Sequence, residues 1–211
     1  MTHSKICGIK TPEALRVSVD NGARFLGFVF YPPSPRHVPI DIAKELSLLV
    51  PTGVRSVGLF VDPTDAQLAS VLGKVQIDMI QLHGDETPKR VAEIKAQYQM
   101  PIIKAFPVAG EGDLEGVEEY AKAADWYLFD AKATDGGVSG GTGKSFDWTI
   151  LQGRSFSKPW MLSGGLDADN VNQALSLLSP DAVDVSSGVE FTRGVKDDAK
   201  IKAFLDAVKV P

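Results

Sequence analysis

The chain has 211 residues, of which 44% are hydrophobic and 23% are charged, a composition typical of globular proteins. Its net charge of −5 at pH 7, without any clustered run of Lys and Arg, excludes an ordinary nucleic-acid-binding surface. No apolar run reaches the ~18 residues that a membrane span needs, so we expect no membrane partner.

The sequence alternates short β-rich runs with longer helical patterns, and it does so eight times. The predicted strands are Lys5–Gly8, Phe25–Phe30, Val54–Asp62, Ile77–Gly84, Pro101–Val108, Trp126–Lys132, Pro159–Leu166 and Ala182–Val189. Most of these runs are apolar nearly throughout, as parallel strands buried on both faces should be.

Several of the intervening helices have recognisable starts. Thr11 precedes Pro12, and Thr87 precedes Pro88, so that a capping residue stands before proline at the first helical position. Thr64-Asp65-Ala66-Gln67 has the pattern of a capping box.

The strand starts recur about every 26 residues, which is near the minimum for a βα unit of an eight-stranded barrel. The sequence therefore predicts an α/β fold of the (β/α)8 TIM-barrel type, with residues 1–211 forming one domain. A doubly wound open sheet is the alternative, but such sheets usually contain five or six strands.

The active site of a TIM barrel lies at the C-terminal ends of its strands. The polar residues predicted to lie there, or in the loops that follow, are Cys7, Arg36, His83, Asp130, Ser163, Asp184 and Ser186. These residues are the candidates for chemistry.

Two segments rich in glycine and serine close the last two strands. They are Ser163-Gly164-Gly165-Leu166 and Ser186-Ser187-Gly188. Phosphate sites in barrels often form from these two loops, and glycine lets the backbone approach the phosphate oxygens. One such segment would equally suit a tight turn, but two at this pair of strands favour a phosphate site.

A third glycine-rich segment is Gly140-Gly141-Thr142-Gly143-Lys144-Ser145. It resembles a nucleotide P-loop, but that motif needs a glycine where Val138 stands. We interpret the segment as a mobile loop over the substrate.

Cys7 and Asp130 are the candidate reactive groups. Strand alternation places Lys5 on the same side as Cys7, and a positive neighbour raises the thiolate fraction of a cysteine. The alternative for Cys7 is an inert buried thiol. Asp130 follows Phe129 at the end of an apolar strand, where burial favours the protonated form that an acid catalyst needs. The alternative for Asp130 is a salt-bridged carboxylate.

Three further residues are candidates for substrate binding. Asp184 suits a substrate hydroxyl or a structural hydrogen bond, and His83 suits a polar wall of the site or a structural hydrogen bond. Arg36 offers the fork that binds a carboxylate in bidentate fashion, although a lone Arg is commonly a surface residue. The three histidines fit no set of zinc ligands, so no metal is expected.

These pieces, in this order, resemble the phosphoribosylanthranilate isomerases. The matching segments run from Lys5-Ile6-Cys7-Gly8-Ile9 through Gln81-Leu82-His83-Gly84-Asp85 and Phe129-Asp130 to Asp184-Val185-Ser186-Ser187-Gly188-Val189-Glu190. They extend over nearly the whole chain, and as a set they are highly specific.

The resemblance implies an Amadori rearrangement of N-(5′-phosphoribosyl)anthranilate in tryptophan biosynthesis, without a metal or an organic cofactor. It implies that Asp130 is the general acid and Cys7 the general base. It further implies that Arg36 binds the anthranilate carboxylate, and that the loops at Gly164-Gly165 and Ser186–Gly188 bind the phosphate.

Other phosphate-binding barrels remain as alternatives. Indole-glycerol-phosphate synthase is expected to have a catalytic Lys pair and a longer N-terminal extension. The tryptophan synthase α subunit is expected to use two carboxylates, and the related isomerase of histidine synthesis an Asp where Cys7 stands. A barrel that binds a phosphorylated ligand without catalysis is the non-enzyme alternative, and the pair of Cys7 and Asp130 argues against it.

The cellular setting is predicted from the start of the chain and from its cysteine content. The first predicted strand begins so early that no room is left for a signal peptide. Cys7 is the only cysteine, so no internal disulfide can form, and a reducing compartment is expected. We therefore expect a cytoplasmic protein, either a monomer or a homodimer.

Overall fold

The computed structural model describes residues 2–132 and 146–209. Eight parallel strands form a closed barrel in the order of the chain. They are β1 (His3–Cys7), β2 (Phe25–Val29), β3 (Arg55–Phe60), β4 (Met79–Leu82), β5 (Ile102–Val108), β6 (Trp126–Ala131), β7 (Trp160–Leu162) and β8 (Ala182–Val185). The predicted (β/α)8 barrel is therefore confirmed.

The barrel closes where the first strand pairs with the last. On one side of β1, Lys5 is in register with Phe25 of β2, and on the other it is in register with Asp184 of β8. The C-terminal ends of all eight strands therefore meet at one end of the barrel, which we call the mouth.

In the described residues, six α-helices pack around the barrel. They are α1 (Pro12–Asp20), α2 (Ile40–Ser47), α3 (Asp65–Leu72), α4 (Pro88–Tyr98), α5 (Val171–Leu177) and α6 (Asp198–Lys209). The predicted caps are confirmed, because Thr11 accepts a hydrogen bond from the backbone of Ala14, Thr87 accepts one from Arg90, and a capping box begins α3. None of the helices in the described part of the chain is long and apolar enough to cross a membrane.

The prediction of a regular helix after every strand is wrong at the connection from β5 to β6. The link from β5 to β6 contains only two 3-10 helices, Glu111–Leu114 and Val117–Tyr120, and the described part of the next link contains one, Trp148–Leu151. Glycine weakens helices because it loses the most backbone entropy, and the first of these links contains Gly110, Gly112 and Gly116.

The end of the barrel sequence also differs from the prediction. The last strand ends at Val185 instead of Val189, and a 3-10 helix, Ser187–Val189, follows it. A small antiparallel hairpin of β9 (Glu190–Thr192) and β10 (Val195–Lys196) then leads into α6. The predicted loop at residues 140–145 lies outside the described residues.

Successive side chains along each strand point alternately into the barrel and out toward the helices. The lower interior is apolar and contains Phe25, Val57, Met79, Ile103, Ala105, Leu128, Met161 and Ala182. Nearer the mouth, Cys7 packs with Val29 and Leu59. Side chains of the alternate register pack outward against the helices, as in a sheet covered on both faces.

A buried ion pair holds the loop that follows β4. Lys104 Nζ donates to Glu86 Oε2 at 3.0 Å and to the carbonyl of Gly84 at 2.7 Å, and both charged side chains are at most 3% exposed. Glu86 also accepts the backbone N–H groups of Asp62 and Gly84. The loops after β3 and β4 are thus tied together directly behind His83.

We expect Lys104→Met to lower the free energy of unfolding by about 3 kcal/mol, because it leaves the buried Glu86 carboxylate without its cation. Urea unfolding at pH 7 measures this. The control is Lys89→Met, which removes one partner of an exposed pair to Glu93 and should leave the unfolding curve unchanged. A loss below about 1 kcal/mol for Lys104→Met would contradict the role given to this pair.

Candidate active site

The Cys7 thiol lies at the end of β1, inside the mouth, and is 4% exposed. Space for the thiol is provided by Gly27 on the neighbouring strand. A Cβ atom at position 27 would lie 2.9 Å from Cys7 Sγ, which is too close for two unbonded atoms. The sulfur position therefore depends on the absence of a side chain at Gly27.

A pair of charged side chains lies deeper in the barrel than the thiol, starting from Lys5, two residues before Cys7 on β1. Lys5, which is fully buried, donates from Nζ to Asp184 Oδ1 at 2.9 Å. The other oxygen of Asp184 accepts from Ser163 Oγ at 3.3 Å. Burial is the largest single effect and opposes the charge on Lys5, but the interactions with Asp184 and Cys7 together outweigh it and raise the lysine pKa above its ordinary value.

The acidity of Cys7 reflects two opposing effects. Burial raises the pKa of the thiol above its ordinary value of 9.0, because a thiolate is poorly solvated there. The positive charges of Lys5, Lys196 and Arg36 act in the opposite direction without cancelling the effect of burial. The thiol of the unliganded protein is therefore protonated at neutral pH.

Asp130 faces the mouth from the end of β6 and is 3% exposed. Its Oδ1 accepts the backbone N–H of Ala131 at 2.9 Å, and its Oδ2 lies 3.2 Å from His83 Nε2. The other ring nitrogen of His83 lies 2.8 Å from Gln81 Nε2. His83 is thus a hydrogen-bonding neighbour of Asp130, and Gln81 fixes the far side of its ring.

Contacts around the mouth join the thiol to the carboxyl. Cys7 packs with Leu59, whose register partner on β4 is Gln81, and Gln81 begins the hydrogen-bonded chain to Asp130. In the other direction around the barrel, Lys5 donates to Asp184, which accepts from Ser163 Oγ. The backbone N–H of Ser163 donates to the carbonyl of Phe129, the residue before Asp130. The Cys7 thiol and the Asp130 carboxyl therefore belong to the wall of one mouth.

Arg36 is buried beside this wall and is held by a carboxylate that the sequence analysis did not single out. Its Nε and Nη2 donate to the two oxygens of Glu190 at 2.7 and 2.9 Å. Lys196 Nζ donates to Glu190 Oε1 at 3.1 Å and to the carbonyl of Ser186 at 2.8 Å. Burial lowers the pKa of Lys196 below its ordinary value, although the charge of Glu190 acts in the opposite direction.

Glu190 and Lys196 were missed because their positions depend on the hairpin after β8. Burial opposes the charge on each, but the hydrogen bond from Arg36 and the charge of Lys196 lower the pKa of Glu190 below its ordinary value. The sequence contains one signal for this hairpin. Gly194 stands between the short segments Glu190–Thr192 and Val195–Lys196, as in a hairpin with a glycine in its turn.

The two predicted phosphate loops lie side by side at the mouth. Gly164 has a φ of +91°, and a Cβ atom there would lie 2.4 Å from the backbone nitrogen of Ala131. Any other residue at position 164 would therefore push the turn away from β6. The turn carries Gly165, and the segment with Ser186, Ser187 and Gly188 follows the neighbouring strand β8. A Cβ atom at Gly188 would collide with the carbonyl oxygen of Leu166, so the two segments are in close contact.

A second hollow lies at the opposite end of the barrel. It has a volume of about 1380 Å³ and is lined by residues at strand starts, among them His3, Phe25, Met79 and Trp126. None of the predicted site residues lines it, so the candidate site is the mouth. In residues 2–132 and 146–209, no three side chains of His, Cys, Asp or Glu are placed to hold a metal ion.

Comparison with known proteins agrees with this geometry. Residues 4–207 match the family model described as N-(5′-phosphoribosyl)anthranilate (PRA) isomerase. The N-(5′-phosphoribosyl)anthranilate isomerase of Rhodospirillum centenum is 54% identical over 203 residues, which cover 95% of each chain.

Solved structures are similar over the whole barrel. The phosphoribosyl anthranilate isomerase of Thermotoga maritima superposes with a TM-score of 0.89 at 38% identity, covering 99% of both chains. Another phosphoribosyl anthranilate isomerase, in complex with reduced 1-(o-carboxyphenylamino)-1-deoxyribulose 5-phosphate, gives a TM-score of 0.87 at 35% identity, again covering 99% of both chains.

Because Cys7 is the only cysteine, the thiolate absorbance of the protein reports on this residue alone once the Cys7→Ser spectrum is subtracted. We expect the folded protein to form the thiolate only at a pH above the midpoint of the urea-unfolded chain, since burial raises the pKa of Cys7. A folded midpoint at or below the unfolded one would show that the three cations dominate instead.

Proposed function

Because the chain belongs to the N-(5′-phosphoribosyl)anthranilate isomerase family, we propose that Cys7 is the general base and Asp130 the general acid of its reaction. The chain is an isomerase of tryptophan biosynthesis, and the reaction is the Amadori rearrangement of N-(5′-phosphoribosyl)anthranilate. The observation that carries the proposed roles is the placement of a thiol and a carboxyl in the wall of one mouth.

The acid step opens the ribose ring. Asp130 gives its proton to the ring oxygen while the bond between this oxygen and C1′ breaks, and the nitrogen lone pair forms a Schiff base to C1′. Negative charge develops on the carboxyl as the proton leaves. The backbone N–H of Ala131, donating to Oδ1 at 2.9 Å, is placed to stabilise that charge.

The base step removes the proton from C2′. Cys7 first releases its thiol proton to water, and the resulting thiolate takes the C2′ proton while the electrons of the C–H bond form the double bond of the enol-amine. Loss of the proton from the C2′ hydroxyl and protonation of C1′ then give the ketone product. The protonated Schiff base places a positive charge near the sulfur. That charge adds to those of Lys5 and Lys196 and favours the thiolate at the stage at which it is needed.

Binding groups surround the two reactive groups. Arg36 holds the anthranilate carboxylate, with its guanidinium plane oriented by Glu190. The Gly164-Gly165 turn and the Ser186, Ser187 and Gly188 segment hold the phosphate through backbone N–H groups. His83 forms the wall beside Asp130.

Asp184 is assigned to a substrate hydroxyl. Its bond to Ser163 is, at 3.3 Å, longer than its bond to Lys5, so Oδ2 is the oxygen that exchanges its partner for the substrate. The Lys5 contact remains in place and keeps the carboxylate oriented.

We further propose that residues 1–211 form one catalytic domain, and that the enzyme works in the cytoplasm. A catalytic thiol needs a reducing compartment, which supports that location. For the assembly we keep the prediction of a monomer or a homodimer, which sedimentation equilibrium distinguishes.

We expect Cys7→Ser and Asp130→Asn each to lower kcat by about 100-fold or more, because positioned acid or base catalysis contributes at least that factor. The assay follows the loss of anthranilate fluorescence from N-(5′-phosphoribosyl)anthranilate. Asp20→Asn, at an exposed position on α1, is the matched control and should keep the wild-type kcat. Near-normal kcat in either active-site variant would show that its role is assigned wrongly.

We expect Arg36→Lys to raise KM about 10-fold with a smaller change in kcat, because lysine keeps the charge but loses the planar fork. The same fluorescence assay, run over a range of substrate concentrations, measures both constants. An unchanged KM together with a reduced kcat would place Arg36 in the chemistry and not in carboxylate binding.

A further inference from the structure

Gln81 is a fully buried polar side chain that the mechanism above does not use. It lies on β4 in the barrel interior, with Leu59 as its register partner on β3 and Ile103 on β5. Its Nε2 lies 2.8 Å from His83 Nδ1, while its Oε1 is buried without a hydrogen-bond partner among the described residues. A buried amide that leaves its oxygen unpaired is oriented by what its nitrogen binds.

The contact to Gln81 determines which nitrogen of His83 carries the proton. An amide NH2 group only donates, so Nδ1 must be the acceptor and the neutral ring must carry its proton on Nε2. That Nε2–H points at Asp130 Oδ2, 3.2 Å away. Reversing the amide would place a proton on Nδ1 and turn a ring lone pair toward the carboxylate.

We propose that Gln81 is a positioning residue that holds His83 as an Nε2–H donor to Asp130 during ring opening. The inference rests on the proposed role of Asp130 as general acid. In that step the Asp130 proton passes to the ring oxygen, and His83 keeps its own proton throughout. A hydrogen bond to a carboxylate is stronger than one to a neutral carboxyl, so the contact strengthens as the proton leaves.

The surrounding structure holds the ring for this task. His83 is followed by Gly84, whose carbonyl is bound by Lys104 and whose N–H is bound by Glu86. The backbone on the C-terminal side of the ring is therefore fixed, and Gln81 fixes the ring on the other side. This arrangement gives a reason for a fully buried glutamine in the barrel interior.

The first test is the protonation state of His83 in the wild-type protein. Nitrogen-15 spectra of histidine-labelled protein distinguish the two neutral tautomers and the imidazolium, and the His83→Asn spectrum identifies the signals among the three histidines. We expect a neutral ring with the proton on Nε2 at pH 7. A ring protonated on Nδ1, or on both nitrogens, would overturn the proposal.

The second test changes Gln81. Gln81→Glu can only accept at Nδ1, so we expect an imidazolium that keeps Asp130 ionised, and kcat lowered about 10-fold or more with little change in KM. Gln97→Glu, at an exposed position on α4, is the control for the same change in charge and should match the wild type in both readouts.

Gln81→Met serves where a buried Glu prevents folding, which circular dichroism reveals. It removes the donor without adding charge, so we expect a share of the Nδ1–H tautomer and a lower kcat. Wild-type kcat and an unchanged His83 spectrum in Gln81→Met would overturn the proposal. Full activity of Asp130→Asn would instead refute the role of Asp130 while leaving the tautomer result standing.

Discussion

The buried ion pair between Lys5 and Asp184 is the contact on which the rest of the site depends. It joins the first and last strands at the point where the barrel closes, at a distance of 2.9 Å. Each member is costly to bury alone, so the pair strongly favours the register that brings the two together. The same register places Cys7 one layer above Lys5, within reach of its positive charge.

Other buried charges near the mouth, in the part of the chain that the structure describes, are also paired. Lys104 is bound to Glu86 behind His83, and Arg36 and Lys196 share Glu190 beside the loops proposed to bind phosphate. These lysines also hold the backbone, because Lys104 donates to the carbonyl of Gly84 and Lys196 donates to the carbonyl of Ser186. Substrate therefore meets groups whose positions are set before it binds, which is how proximity contributes to rate.

The sequence was sufficient to predict the barrel because eight apolar runs and their caps are local signals. It also predicted that Cys7, His83 and Asp130 lie at strand ends, since this follows from topology. It did not predict the role of Glu190, Lys196 or Gln81, because their contacts join residues distant in the chain or lie inside the barrel. The regular alternation of the chain predicted a helix after β5, where Gly110, Gly112 and Gly116 weaken helix formation and two 3-10 helices form instead.

The central claim is that the thiol and the carboxyl act on successive steps at a single sugar. A substrate carrying deuterium at C2′ separates these steps, because only proton removal from that carbon is slowed by the heavier isotope. We predict a primary isotope effect on kcat in Cys7→Ser, where removal becomes limiting, and a suppressed one in Asp130→Asn, where ring opening limits. The reverse pattern would contradict the account.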